Sequence, residues 1–282
     1  MKKIGLLAFA LTFSGFLMAQ NHSSSVVQEG DENQSNVTQV GRVSSVQVEQ
    51  TGDANIADIS QDGVGNAASA LLTGSANDIM IDQVGTGHLG ENITIGNNNI
   101  SSISQTEGDG NTVRQEVTGD ANVTNAIQKG FGNEATQVQS GVGGNTLDLG
   151  QNGSANTATS LQDGENNNNF ASQIGNNNSI VTEQVGVSNN LGILQEGNGN
   201  TLTAVQTGSN NIAGAEGDPQ LSSTGDDNDI FLIQNGDANA SSIIQSGDEN
   251  VGRNTQDGNQ HSSTILQVGS RNTAVTTQSE QQ

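Results

Sequence analysis

The sequence contains no cysteine, no tryptophan and no tyrosine, and Pro219 is its one proline. Without thiols there is no disulfide framework, no thiolate nucleophile and no cysteine metal site. Of six phenylalanines, Phe9, Phe13 and Phe16 fall in the first nineteen residues, leaving Phe131, Phe170 and Phe231 for a folded core. A close-packed globular interior needs more large apolar side chains than that, which argues against a conventional pocket enzyme. Basic residues are scarce as well: seven Lys and Arg face 30 Asp and Glu, a formal net charge of −23. Such a surface repels phosphate backbones and anionic lipid headgroups, so nucleic acid is not an expected partner. What is abundant is amide and glycine, with 37 Asn, 28 Gln and 37 Gly in 282 residues.

Residues 1–19 read as a secretory signal peptide. Lys2 and Lys3 form a positive start, Ile4 to Leu17 is apolar, and Leu17-Met18-Ala19 ends on a small residue before Gln20. The apolar segment is shorter than the roughly 20 residues that span a bilayer, and no cysteine is present for lipid attachment. No second apolar stretch follows, so no transmembrane span is expected.

The rest, residues 20–282, is one repeat array. The pattern Gln-x-Gly-x-x-Asn occurs as Gln28-Gly30-Asn33, Gln50-Gly52-Asn55, Gln61-Gly63-Asn66, Gln128-Gly130-Asn133 and Gln151-Gly153-Asn156. It continues as Gln162-Gly164-Asn167, Gln173-Gly175-Asn178, Gln184-Gly186-Asn189, Gln195-Gly197-Asn200 and Gln206-Gly208-Asn211. The last copies are Gln234-Gly236-Asn239, Gln245-Gly247-Asn250 and Gln267-Gly269-Asn272. Weaker copies fill the gaps, so that the anchoring glycines recur every eleven residues, with two steps of twelve and one of seventeen. Fixed self-similarity at such a period is the mark of a solenoid.

Between anchors the residues alternate. Asn55, Ala57, Ile59, Gln61 and Asn77, Ile79, Ile81, Gln83 form one row each, while the residues between them are mostly polar. A period of two means a strand with one face inward, and the Gly-x-x stretch supplies the turn. One strand and one turn per eleven residues predicts an all-β fold. Its coils are 22 residues, strand-turn-strand-turn, and they stack into a β-solenoid of two facing parallel sheets. The aliphatic pair in each strand would fill a thin core. The flanking Asn and Gln would sit at its corners, stacked into amide ladders that set the register. The long step predicts a loop insertion near 212–224, and the coil from His88 to Thr94 is expected to be weakest, because Gly90 and Asn92 take its aliphatic slots.

These residues resemble the curlin repeat, Ser-x5-Gln-x-Gly-x-x-Asn-x-Ala-x3-Gln. The stretch Ser45 to Gln61 matches nearly in full, through Gln50, Gly52, Asn55 and Ala57, and Asn156-x-Ala158 and Asn272-x-Ala274 repeat its centre. The chain holds about twice the family's usual number of repeats. The resemblance implies a secreted subunit of curli-type amyloid fibres, extracellular at the surface of a diderm bacterium and serving adhesion and aggregation in the biofilm matrix. The partners it implies are further copies of the same chain, a nucleator subunit and an outer-membrane export channel with accessory proteins.

Other readings weigh less. Gly85-x-Gly87-x-x-Gly90 has the dinucleotide spacing, but no helix is expected after it. His88 and His261 stand three residues after anchor glycines, where the repeat has Asn, and are expected to replace ladder amides rather than bind metal. Acidic turn residues such as Asp31, Asp53 and Asp226 read as solvating charges that oppose aggregation; calcium-binding β-rolls need a period of nine. No nucleophile, base and orienting group stand out from the repeat, so neither catalytic residues nor a cofactor are expected. The alternative function is a non-amyloid surface solenoid that acts as an adhesin or binding module. It would call for a capping or anchoring domain, and the repeat leaves no room for one before Gln278.

Overall fold

A computed structural model describes residues 21–214 and 221–280. The signal peptide expected over residues 1–19, and Pro219, lie outside the described residues. The chain is a β-solenoid of about eleven turns built from two parallel sheets. Odd-numbered repeats such as Ser45–Thr51, Ala67–Ser75 and Leu89–Asn97 form the first sheet. Even-numbered ones such as Ile56–Val64, Asp78–Thr86 and Ile100–Asp109 form the second. Each strand pairs with the strand one coil on, so Ile59 opposes Ile81 and Gln61 opposes Gln83, 22 residues apart. Pairing continues around the corners, where Gly52 N–H donates to Glu29 O at 2.9 Å and Ala54 N–H to Asp31 O at 2.8 Å. Coil-to-coil hydrogen bonding therefore runs through strand and turn alike.

Glycine at the anchor positions is a steric requirement. At Gly52, φ is +115° and a Cβ would stand 1.9 Å from Gly74 O; at Gly63 the distance to Gly85 O is 1.8 Å. From Gly30 to Gly247 each anchor glycine leaves space only for the carbonyl of the next. Two residues later the chain enters the left-handed region again, at Ala54 (φ 56°), Ala76 (φ 55°) and even Val43 (φ 57°). That second position is open: a Cβ on Gly65 would meet nothing within 4 Å.

The irregular steps have local causes. One twelve-residue step is a β-bulge, where Glu107 takes φ 61° and the pairing shifts between Val84 and Thr86. The other widens the corner at Gly143-Gly144, both with positive φ. The seventeen-residue step is narrower than a loop over 212–224. Ile212–Ala213 and Leu221–Thr224 both pair with Asn190–Asn198 as strand, in register on either side of the interruption. Partner spacing rises there from 22 to 28 residues. The surplus is thus confined between Ala213 and Leu221.

The core lies between the sheets. In the second sheet one inward column runs Ile59, Ile81, Ile103, Ala126, Leu149, Ala171, Ile193, Leu221, Ile243, all at most 2% exposed. The facing column of the first sheet departs from the expected aliphatic pair. After Val48 and Ala70 it becomes Asn92, Gln115, Gln137, Ser160 and Thr182 before returning to Ala204 and Leu232, and all of these are buried. The phenylalanines add nothing to this core. Phe170 and Phe231 occupy outward positions, and Phe131 is 58% exposed at a corner.

Replacing Gly52 with alanine should unfold the monomer at markedly lower temperature, because a Cβ would collide with backbone that cannot retreat. Gly65→Ala should change the thermal midpoint little, since Ala54 and Ala76 already occupy the equivalent corner site; circular dichroism melting of the two variants compares them.

Candidate functional site

The repeated Asn and Gln converge on two corners in each sheet, where they stack over their equivalents in adjacent coils. Asn55 shows the arrangement. Its backbone N–H and its Nδ2 both donate to Asn33 Oδ1, at 2.9 and 3.1 Å, and Nδ2 also donates to Gly74 O at 2.8 Å. Asn77 does the same to Asn55 Oδ1, at 3.1 and 3.0 Å. At these rungs the Asn oxygen takes two bonds from the next coil, while the Asn Nδ2 caps the corner carbonyl. Gln ladders run the other way. Gln61 Nε2 donates forward to Gln83 Oε1 at 2.8 Å and to Ser45 O at 3.1 Å, and its own Oε1 accepts from Gln39 at 2.9 Å. Asn amides therefore turn their oxygens toward the next coil and Gln amides toward the previous one, so the two ladders run in opposite directions.

All thirteen Gln-Gly-Asn sets lie on these columns. Gln128, Gln151, Gln173 and Gln195 follow one another at 2.7, 2.9 and 3.0 Å in the second sheet. Gln162, Gln184, Gln206 and Gln234 do so at 2.7, 2.8 and 2.8 Å in the first. Gln245 bonds Gln267 at 2.8 Å, and Gln28 donates to Gln50. Asn66 caps Gly85 O, and Asn133–Asn156–Asn178–Asn200 form one column while Asn167–Asn189–Asn211–Asn239 belong to the other. Asn250 donates to Asn228 and receives from Asn272. The anchor glycines Gly30, Gly130, Gly153, Gly164, Gly175, Gly186, Gly197, Gly208, Gly236, Gly247 and Gly269 all take φ between +102° and +130° at the corners beside them. Degenerate copies contribute equal rungs that the strict motif passes over, among them Asn77, Asn99, Asn122, Asn145, Gln83, Gln105 and Gln256.

A third set of amides was hidden in aliphatic slots. Asn92 Nδ2 donates to Gln115 Oε1 at 2.9 Å, Gln115 Nε2 to Gln137 Oε1 at 2.9 Å, and Thr94 Oγ1 to Asn92 Oδ1 at 2.8 Å. Its sequence signals are Asn92 in an aliphatic slot and the 22-residue spacing of Gln115 and Gln137, two positions before their corners. Unpaired, each buried amide would cost about 1–3 kcal/mol; stacking one coil apart satisfies them jointly.

Residues 52–85, 175–208 and 225–250 match the Curlin associated repeat. These three segments are repeats of curlin type. No curated protein matches the chain. Family and fold together point to a structural protein, and the repeated chemistry is that of one coil holding the next.

Histidine enters the curlin ladder as an amide mimic. His88 is 1% exposed; its backbone N–H donates to Asn66 Oδ1 at 3.0 Å, its Nδ1 accepts Asn111 N–H at 3.2 Å, and its Nε2 donates to Val84 O at 3.2 Å. Nδ1 thus stands in for the Asn oxygen and Nε2–H for its amide. His22 repeats this with Ser44 N–H at 3.3 Å and Gly41 O at 3.0 Å, and His261 Nε2 meets Asp257 O at 3.3 Å. Burial lowers the His88 pKa from its ordinary value, outweighing the opposing pull of the Val84 carbonyl and of Asp109.

Acidic corner residues do more than solvate. Asp53 accepts Asp31 N–H at 2.9 Å, Asp120 accepts Asn97 N–H at 2.8 Å, and Asp226 accepts Asn198 N–H at 2.7 Å, forming an exposed ladder of their own. Four cations pair with acids one coil back, closest at Arg271 and Glu249, 2.8 Å. These exposed pairs contribute little stability, although Arg271 holds the Glu249 carboxyl below its ordinary range. On the outer face Asn36 donates to Asp58 at 2.7 Å, and burial together with Asp58 raises the Asp78 pKa. Among the described residues no three His, Asp or Glu come together to hold a metal ion.

The first sheet's Gln column is interrupted at Leu72, Thr94 and Val117, and the second sheet's has one gap, with a clear cost. Ser223 stands between Gln195 and Gln245, too short to bridge them, and both Ser223 Oγ and Gln245 Oε1 are buried without a partner. Ser223→Gln should restore the ladder and stabilise the fold by about 1 kcal/mol or more, read as a higher thermal midpoint than that of Ser223→Ala.

Proposed function

We propose that the chain is a secreted, self-assembling structural subunit of curli-type cross-β fibres, which lie outside the cell surface of a diderm bacterium and mediate adhesion and aggregation in a biofilm matrix. The observation that carries this reading is that the contact between successive coils is one contact repeated along the molecule. It consists of parallel backbone pairing, an Asn ladder and a Gln ladder, and nothing in it requires the two coils to share a chain. A second copy of the same polypeptide offers the same donors and acceptors at the same spacing. An exposed strand edge of this kind templates pairing with another chain. Secretion rests on the signal-like residues 1–19, and the family resemblance supplies a nucleator subunit and an outer-membrane export channel with accessory proteins as partners. No helix among the described residues is long and apolar enough to cross a membrane.

Purified protein lacking residues 1–19 should form unbranched fibres in plain buffer, visible by electron microscopy, with diffraction near 4.7 Å and about 10 Å from the strand and sheet spacings. A monomer that stays monodisperse for days at high concentration would refute the proposal.

Corner amides should matter more to growth than outward ones. Gln50 is fully buried and Gln47 exposed on the same strand. Gln50→Ala or Asn55→Ala should slow seeded elongation at least severalfold, each leaving ladder neighbours one partner short. Gln47→Ala should stay within twofold of the parent. Equal rates for the three would show that the ladders do not guide assembly.

A further inference from the structure

We propose that the coil around His88 is an acid-sensitive seam, a place where the solenoid opens locally when His88 takes a second proton. Geometry makes the site specific. The His88 ring serves as a ladder rung only with a lone pair on Nδ1 facing Asn111 N–H and a proton on Nε2 facing Val84 O. The imidazolium carries N–H on both nitrogens. Protonated, Nδ1 would present a donor to the Asn111 donor at 3.2 Å. An asparagine in the same position cannot lose its acceptor in this way, because its oxygen does not titrate.

The seam falls where the fold has little apolar burial with which to absorb the loss. From Leu89–Asn97 the first sheet sends Gly90, Asn92 and Thr94 inward and no aliphatic side chain. A Cβ on Gly90 would already stand 3.2 Å from Ile81 Cγ2 and Gln83 Nε2, so the neighbours have closed over the missing side chain. Apart from Val251–Asp257, which likewise sends only Gly252, Asn254 and Gln256 inward, the other strands keep an inward apolar side chain when one polar contact fails, as at Ile180 or Leu202. Here the strand is held by hydrogen bonds: its backbone pairing, the Asn92–Gln115 bond and the His88 rung. Segments with little apolar burial are the ones that open below the global free energy.

The charges around the ring leave the sign clear. Asp109, at the corner of the following coil, favours the protonated form and is outweighed by burial. The ladder neighbours Asn66 and Asn111 are neutral, and Glu91 and Arg114 of the adjoining strands sit on the outer face, 42% and 52% exposed and paired with each other. With its folded pKa below the ordinary value, His88 contributes stability that is fully present above about pH 6.5 and is lost as pH falls through the folded value. His22 and His261 make the same exchange of ring for amide in coils that are more open to solvent, so a local opening there exposes less that was buried.

Hydrogen–deuterium exchange of the dilute monomer lacking residues 1–19, at pH 7.5 and pH 5.0 and corrected for intrinsic rates, tests this. Peptides covering 86–97 and 109–120 should lose protection at least tenfold at pH 5.0, whereas those covering 179–187 and 201–209 should not. His88→Asn restores the repeat's own residue and should keep protection at both pH values; effects of other titrating groups, Asp78 included, are common to both proteins and cancel. Unchanged protection in the parent, or an equal loss in His88→Asn, overturns the proposal. Nitrogen-15 spectra of the parent's ring give a check that needs no variant: at pH 7.5 Nδ1 must be unprotonated and Nε2 protonated, and a doubly protonated His88 ring at that pH overturns it as well.

Discussion

The constraint on which the molecule depends is the pairing of each corner asparagine with its equivalent one coil away. Asn55 Oδ1 receives both the backbone N–H and the Nδ2 of Asn77, while Asn55 Nδ2 caps the carbonyl of Gly74. One side chain so accounts for a backbone donor, a backbone acceptor and a neighbouring amide at a place where the chain turns and ordinary strand pairing would leave groups unmet. The bond forms only when coils are in register, because a one-residue slip would carry the amide to the outer face. Register, turn and burial are therefore one problem with one solution, repeated along the chain.

The rest of the architecture follows from that repetition. With coils locked at one strand spacing, the anchor glycines come so close that a carbonyl fills the space of a side chain, which explains why no other residue stands there. Large apolar residues become dispensable, since the interior is only two side chains thick and polar groups in it can find partners along the stacking axis. The Asn92–Gln115–Gln137 column makes the point: three amides in slots meant for aliphatic residues are tolerated because each has a neighbour of its own kind. Where the rule is broken, at Ser223, the structure has orphaned atoms instead.

The same economy gives titratable groups unusual leverage. Carboxylates at the corners act as acceptors for backbone N–H groups, which places negative charge along the edges without breaking the stack. Histidine fits the ladder only as a neutral tautomer, so substituting it for asparagine keeps the geometry while adding a dependence on pH. A structural protein built of curlin-type repeats can in this way carry chemical sensitivity in its stacking contacts.

Much of this was legible from residue order alone. Strand period, coil length, the pairing of corner amides and the need for glycine at every anchor are all properties of the repeat, and repetition converts a local pattern into a global one: residues 22 apart must meet. The positions of His88 and His261 as ladder members were legible for the same reason. What the sequence left undecided were matters of which neighbour a side chain meets across or along the core. The opposed directions of the Asn and Gln ladders depend on where corner carbonyls point, and the internal amide column depends on three inward side chains whose periodicity is no different from that of valine. The interruption near 212–224 likewise read as a loop, although Ile212–Ala213 and Leu221–Thr224 remain strand because coils on both sides supply the pairing. Those features belong to the stacked structure, since hydrogen-bond direction and partner choice arise only when separate coils stack at about 4.8 Å, one strand spacing.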